Sequence, residues 1–273
     1  MSGIDRALAR GAALLKETSE TPRLDAELLM AHALGLERDA LLLRPPQVAA
    51  PAEFDAFIAR RALGEPVAYI TGRRAFWNIE LEVGPGALVP RPDSETLIVA
   101  ALDHFGKGAP SRILDLGTGP GTLLLAALDQ WPRATGIGVD ASPEALDYAR
   151  ANATRLGLAQ RATFRRGDWA NGIAEAFDLV LVNPPYVAED AELGPGVAEY
   201  EPGEALFAGP DGLDDYRRIA PDIARLIAPG GIAAIEIGSD QAEAVTALLA
   251  GHGLTARLER DLAGRPRALT AAP

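Results

Sequence analysis

The chain has 273 residues, 48% hydrophobic and 23% charged, with no cysteine. That suits two unequal globular domains with an apolar core and excludes disulfides, a thiolate nucleophile and cysteine-rich zinc sites. The formal net charge of -12 repels a phosphate backbone, so nucleic acid is not expected as a direct partner. No apolar run approaches the ~20 residues of a membrane span, and MSGIDRALAR lacks the basic-then-apolar pattern of a secretory signal. No membrane association and a cytoplasmic location are expected. His32, His104 and His252 are scattered and support neither a metal site nor a histidine base.

The first segment, residues 1–72, reads as a bundle of short helices. Pro22 and Pro51 each stand where a first helical turn begins. Leu24, Leu28 and Leu29 follow one, and Phe54, Phe57 and Ile58 the other, at helical spacing. This unit carries little charge bias, since ten acidic and eight basic residues fall within it. A linker over 73–91 reads as a β-hairpin. Trp77, Ile79, Leu81 and Val83 alternate as a half-buried strand, Gly84-Pro85-Gly86 turns, and Ala87-Leu88-Val89 returns.

From Pro92 to the end, strands and helices alternate. Arg112–Leu116, Thr135–Val139, Ala162–Arg166, Asp178–Val182 and Ile232–Ile237 have strand length. A helix starts at Ser142-Pro143-Glu144, an N-cap, a first-turn proline and a first-turn acid. Such βα repetition gives an α/β fold with a mostly parallel sheet between two helical layers. Leu254–Leu258 and Arg267–Thr270 read instead as an antiparallel hairpin at the sheet edge.

Two motifs carry chemistry. Ile113–Leu116 runs into Gly117-Thr118-Gly119-Pro120-Gly121, a strand ending in a glycine turn whose backbone can approach a ligand closely. The spacing is G-x-G-x-G, unlike the G-x-G-x-x-G of dinucleotide folds. Asp115, two residues before Gly117, is placed to meet a ligand ammonium group. Asp140 ends the next strand, where an acid can accept from both hydroxyls of a ribose. Asp168-Trp169 follows the third strand; tryptophan offers a face to a purine and aspartate an acceptor to its amine. A tight βα turn without a ligand explains the glycines alone, but not the acids at successive strand ends.

The second motif is Asn183-Pro184-Pro185-Tyr186, directly after the strand Phe177–Val182. An Asn-Pro turn is the simplest reading. Successive prolines cannot donate to a ladder, so the Pro184 carbonyl is left as an acceptor beside the Asn183 amide oxygen. Two fixed acceptors suit an NH2 group. They can turn the lone pair of a delocalised, weakly nucleophilic amide toward an electrophile, which would be a sulfonium methyl, by positioning and electrostatics without a strong base. Tyr186 would wall the planar target.

With these residues, the chain resembles the release-factor glutamine methyltransferases over nearly its whole length. The linker segments PVAYITG (66–72), AFWNIE (75–80) and VPRPDSE (89–95), the Glu201-Pro202 segment and RDLAGRPRA (260–268) carry the likeness beyond motifs shared by many amine methyltransferases. It implies a seven-stranded, Rossmann-like class I methyltransferase fold with an N-terminal helical domain that binds the substrate protein. It implies S-adenosyl-L-methionine as cofactor, S-adenosyl-L-homocysteine as product, and methylation of the glutamine in the Gly-Gly-Gln loop of class 1 peptide chain release factors. Gly117, Thr118, Gly119, Pro120, Gly121, Asp140, Trp169 and Asn183 would line the cofactor. Asn183, Pro184, Pro185 and Tyr186 would hold the substrate, with Asn183 and Pro184 catalytic. Two departures stand out: Pro120 where a small polar residue is usual, which removes a backbone donor, and Asp93 where glutamate is commoner.

Between Val187 and Asp215 there are nine acids and no Lys or Arg, either a solvated loop or an acidic lip that favours a basic protein loop. The rivals are an adenine-amino methyltransferase acting on a flipped base, a glutamine methyltransferase for another protein, and a nucleotide-binding module without chemistry. The first needs a basic track, which this acidic chain does not offer, and the last gives no reason for Asn183–Tyr186. Nothing in the sequence requires a dimer, and a monomer is expected.

Overall fold

The computed structural model describes residues 3–44 and 46–273. The described residues fall into two compact units. One comprises those up to Arg73 together with Glu192–Glu201, and the other Arg74–Ala191 with Pro202–Pro273. The sequence reading placed 192–201 with the sheet-forming part, because a chain excursion that packs on a distant segment leaves no local pattern.

The first unit contains α1 (Gly3–Leu14), α2 (Pro22–Leu34), α3 (Arg38–Leu43), α4 (Ala52–Ala62) and α5 (Val67–Thr71). Helix α2 starts at Pro22 and ends against Gly35, whose left-handed φ of 65° lets its N–H cap the last carbonyls. Ile4, Leu8, Leu29, Met30, Phe54 and Ile58 share its core. The expected face of α2 is rotated, because Leu24 is exposed while Asp25 and Glu27 are buried. Ion pairs make that burial tolerable: Arg61 reaches Asp25 at 2.7 Å, and Arg23 and Arg38 reach Glu27 at 2.6 and 2.7 Å.

A two-stranded hairpin follows, β1 (Arg73–Phe76) and β2 (Ile79–Glu82). It turns at Trp77-Asn78, one strand earlier than the sequence suggests. Trp77 has a φ of 54°, which a residue with a side chain seldom adopts. Its backbone N–H donates to Glu95 Oε1 at 2.8 Å and its indole N–H to Gln130 Oε1 at 3.1 Å, which hold it there. Ala87–Val89 forms no strand. Pro85 and Pro90 bracket it and cannot donate to a ladder, and Leu88 faces a cavity instead.

A 3-10 turn (Pro92–Ser94) leads into α6 (Glu95–Phe105). Then come β3 (Arg112–Leu116), α7 (Thr122–Gln130), β4 (Thr135–Asp140), α8 (Pro143–Arg155), β5 (Ala162–Arg166) and β6 (Phe177–Val182). The short α9 (Val197–Tyr200) belongs to the first unit. The second unit resumes with α10 (Asp214–Leu226), β7 (Ile227–Glu236), α11 (Ala242–Gly251), β8 (Thr255–Arg260) and β9 (Pro266–Ala272).

The seven strands lie in the order β5-β4-β3-β6-β7-β9-β8. β5 through β7 are parallel, and β9 is antiparallel to both β7 and β8. This is the mostly parallel, Rossmann-like sheet expected, with the terminal hairpin at its edge. Alternation along the strands sends Leu114, Leu116, Val180 and Val182 to the face covered by Tyr216, Ile219, Ile223, Val245 and Leu249. Asp115 points to the other face, where α7 lies. Because β4 and β6 flank β3 on opposite sides, the strand order reverses there, and the crevice at the carboxyl ends of these strands is where such sheets bind ligands. Among the described residues, no helix is long and apolar enough to cross a membrane.

Candidate active site

The loop after β3 explains its own composition. Gly117, Gly119 and Gly121 have φ of 71°, 56° and 86°, so every second position needs a left-handed backbone that glycine supplies without strain. The Gly117 and Thr118 N–H groups both donate to the Val139 carbonyl, at 2.9 and 3.0 Å. A methyl on Gly117 would lie 3.3 Å from Trp169 Cζ3, whereas one on Gly119 would meet open space. Pro120 gives up a donor, but its carbonyl is used: buried Asn152 of α8 donates to it at 3.0 Å. The same carboxamide bonds both Glu82 backbone groups, at 2.7 and 3.0 Å, and so clips the loop to β2.

Three acids stand at successive strand ends. Asp115, 1% exposed, receives Thr118 Oγ1 at 2.6 Å and Leu124 N–H at 3.1 Å on Oδ2. Oδ1 has no partner, and burial pushes the carboxyl up to about 7 against those two bonds. Asp140 receives Gly119 N–H at 2.7 Å and Ser142 N–H at 2.9 Å, and burial also raises its pKa. The Ser142 hydroxyl in turn caps α8 through Ala145 N–H at 3.1 Å. Asp168 is held by Arg218 at 2.6 Å. Arg218 also reaches Asp215 at 3.0 Å, and Asp215 accepts the Trp169 indole N–H at 3.1 Å. The tryptophan, itself at a φ of 49°, is therefore fixed against the glycine loop by an ion-pair chain that no local pattern reveals.

Asn183 follows the last residue of β6. Its Nδ2 donates to Ser94 Oγ at 3.2 Å, which turns Oδ1 the opposite way. Pro184 is buried, and among the described residues no protein donor reaches its carbonyl. Tyr186 is anchored at both ends, its hydroxyl donating to Glu236 Oε1 at 3.3 Å and its carbonyl accepting from Gln241 Nε2 at 2.9 Å.

These segments enclose a cavity of ≈ 570 Å³, within the ~300–1,000 Å³ usual for small-molecule sites. Gly117, Thr118, Gly119, Pro120, Asp140, Trp169, Asn183 and Pro185 line it, as do Asp115 and Asp168; Gly121, Pro184 and Tyr186 do not. A methyl on Gly121 would sit 2.8 Å from Leu125 Cδ1, so that glycine serves helix packing. Tyr186 packs against the sheet core.

Sequence reasoning missed Ser94, Asn152, Asp215, Arg218 and Glu236. Glu236 left a usable signal: like Asp115, it is a lone acid within an apolar run, here Ile232–Ile237. The acidic stretch is also less uniform than its composition suggests. Asp211 and Asp214 pair with Arg217 at 2.5 and 2.8 Å, and Glu201 is buried. Glu189 and Glu204 are exposed and line a second, shallower cavity that shares Pro202 and Glu204 with the first.

Comparison with known proteins identifies the family. Residues 6–72 match the model of the PrmC N-terminal domain, and residues 108–254 match that of a methyltransferase domain. A release factor glutamine methyltransferase of Rhodospirillum rubrum is 46% identical over 275 residues, covering 98% of this chain and 84% of that protein. One from Caulobacter vibrioides is 42% identical over 255 residues, covering 91% and 88%. The solved ribosomal protein L11 methylase of Lactobacillus delbrueckii subsp. bulgaricus shares the fold. It is 18% identical with a TM-score of 0.51, over 70% of this chain and 83% of that one. The chain is a methyltransferase and belongs to the release factor glutamine methyltransferase family.

Proposed function

We propose that the protein transfers a methyl group from S-adenosyl-L-methionine to the side-chain amide nitrogen of the glutamine in the Gly-Gly-Gln loop of class 1 peptide chain release factors, and so supports translation termination. The observation that carries this reading is the Asn183 carboxamide. It lines the same cavity as the glycine loop and Asp140, with its NH2 tied to Ser94, so its oxygen is the group left to receive a substrate NH2.

The lining residues fit this cofactor. Asp140 is an acceptor for vicinal hydroxyls, Trp169 offers a flat face, Gly119 leaves room for close approach, and Asp115 brings a buried oxygen without a partner suited to an ammonium. When bound, the cofactor supplies an activated methyl group as electrophile. Asn183 Oδ1 and the Pro184 carbonyl accept the two hydrogens of the substrate carboxamide and direct its lone pair, while Pro185 and Tyr186 bound the substrate side. The methylated nitrogen loses its proton to solvent, so no histidine or thiolate is required. Glu189 and Glu204 form an acidic lip for a basic protein loop, and a monomer suffices.

The direct test incubates the protein with labelled S-adenosyl-L-methionine and either unmethylated release factor or DNA. Label on the glutamine of the Gly-Gly-Gln loop, located by mass spectrometry, is expected. Label on DNA adenine alone, or on neither, would overturn the reading.

A further inference from the structure

Successive prolines free the Asn183–Tyr186 segment from the sheet. Pro184 and Pro185 have no N–H to give to a neighbouring strand, and the pairing that fixes β6 stops at Val182. Yet an acceptor at the Pro184 carbonyl has to be placed closely, because a small misplacement of a positioned group costs much of its effect. The two pyrrolidine rings hold φ nearly fixed and make a stiff rod. One end of that rod is set by β6. The other end, Tyr186, needs an anchor of its own.

Gln241, the residue that opens α11, supplies it. Both hydrogens of its carboxamide are used: Nε2 donates to the Tyr186 carbonyl at 2.9 Å and to the Gly212 carbonyl at 3.2 Å. Its Oε1 accepts the Gly238 N–H at 2.9 Å, and its own backbone N–H returns to the Gly238 carbonyl at 3.1 Å. These partners of the carboxamide are backbone groups, whose donor or acceptor character cannot change. A half-turn of the amide would set NH2 against N–H and oxygen against two carbonyls, so one orientation alone is satisfied. The Tyr216 hydroxyl, 3.4 Å from Oε1, gives its hydrogen to the Glu236 carbonyl at 2.9 Å. The glycines around the carboxamide fit the same clasp. A methyl on Gly212, whose φ is 70°, would collide with the Tyr186 oxygen and lie 2.8 Å from Nε2, and one on Gly238 would lie 2.8 Å from Oε1.

We infer that Gln241 is a positioning residue: it pins the Tyr186 end of the Pro184-Pro185 rod and thereby fixes the Pro184 carbonyl for the substrate NH2. This role rests on the acceptor reading proposed for Asn183 and Pro184. Beyond Tyr186, Val187 pairs with the stretch 206–208, which lies outside the seven-stranded sheet. By bonding Tyr186 on one side and Gly212 on the other, Gln241 ties that pair to Gly238, just past β7. The Tyr186 hydroxyl has a tether to Glu236 at 3.3 Å, but it acts across the rotatable bonds of a side chain, whereas Gln241 acts on the backbone. The cofactor wall does not share this dependence. Asp215 and Arg218, which hold Trp169 and Asp168, stand on α10, and that helix is fastened by Ile219, Ile223 and Leu226 in the sheet core. Loss of the clasp therefore falls on the substrate side.

The test compares Gln241→Ala, Gln241→Glu and Asn183→Ala with the unmodified protein. It measures kcat and KM for release factor, cofactor Kd, and activity against pH. Gln241→Ala is expected to lower kcat about 10- to 100-fold with cofactor Kd held within about threefold. Gln241→Glu keeps the shape and adds a titratable group. An ionised carboxylate has no hydrogen for the Tyr186 and Gly212 carbonyls, whereas a protonated one donates to Tyr186 and still accepts from Gly238. Two facing carbonyl oxygens raise the pKa of such a carboxyl, so its activity, as a ratio to the unmodified protein at the same pH, rises roughly tenfold from pH 8 to pH 5. The ratio for Gln241→Ala stays flat. If Gln241→Ala does not fold, the Gln241→Glu ratio decides. Full kcat in Gln241→Ala, with Asn183→Ala inactive, would overturn the positioning role alone. So would a fall in kcat matched by an equal loss of cofactor affinity and a flat Gln241→Glu ratio, the signature of a purely structural role. An active Asn183→Ala would overturn the acceptor reading itself.

Discussion

Two buried acids set how single residues make this protein respond to pH. Asp115 and Glu236 have ordinary values of 3.8 and 4.5, and burial lifts both to about 7 in the folded chain. Between those limits the folded state holds more protons than the unfolded one, so stability falls as pH rises through the window. Each carboxyl costs roughly 3–4 kcal/mol once ionised. Urea unfolding without cofactor is expected to give a lower free energy at pH 8 than at pH 5, with a smaller drop in Glu236→Gln. An equal drop in both would exclude Glu236 as a source. At this scale Asp140, Trp169 and Asn183 were legible in the sequence, because each ends a strand or follows one. Ser94 and Asn152 were not, since they act on residues 89 and 32 positions away.

Among the elements, the strands of the parallel sheet were readable nearly residue by residue, since short apolar runs between helices leave few alternatives. The hairpin was not. Its turn rests on Trp77 with a positive φ, held by Glu95 and Gln130, and sequence preference puts glycine at such a position. The glycine loop depends likewise on a tertiary clip. Asn152→Ala removes the partner of the Pro120 carbonyl and of both Glu82 backbone groups. With several buried groups left unpaired, a loss of about 2–4 kcal/mol is expected, read as a lower urea midpoint with weaker cofactor binding. An unchanged midpoint would mean that the loop holds its shape without α8. Gly117→Ala tests the loop from the other side: strain at its φ and the push on Trp169 cost roughly 1–2 kcal/mol and weaken cofactor binding.

Across the whole molecule, charge is distributed unevenly, and that distribution bears on the partner. The formal charge of -12 was legible at once, and so was the acid-rich stretch after Tyr186. Pairing was not: Arg217 and Arg218 neutralise three of its acids, which leaves Glu189 and Glu204 at the second cavity. Exposed charges act through a screening length of ~10 Å at 0.1 M salt. Binding of a basic release-factor loop should therefore weaken as salt rises. Glu189→Gln with Glu204→Gln should flatten that dependence while cofactor affinity stays the same, as titrations at several ionic strengths can show. An unaltered slope would assign the steering to other acids. The assignment of 192–201 to the helical unit is the clearest case of organisation that only three-dimensional packing reveals.

The role proposed for the Asn183 carboxamide is tested most directly by Asn183→Ala, with methyl transfer to release factor and cofactor affinity measured on the same sample. Cofactor affinity is expected to hold while kcat falls by about 10²–10³, the equivalent of roughly 2.7–4 kcal/mol of lost transition-state stabilisation. Turnover that survives the substitution intact would contradict the account.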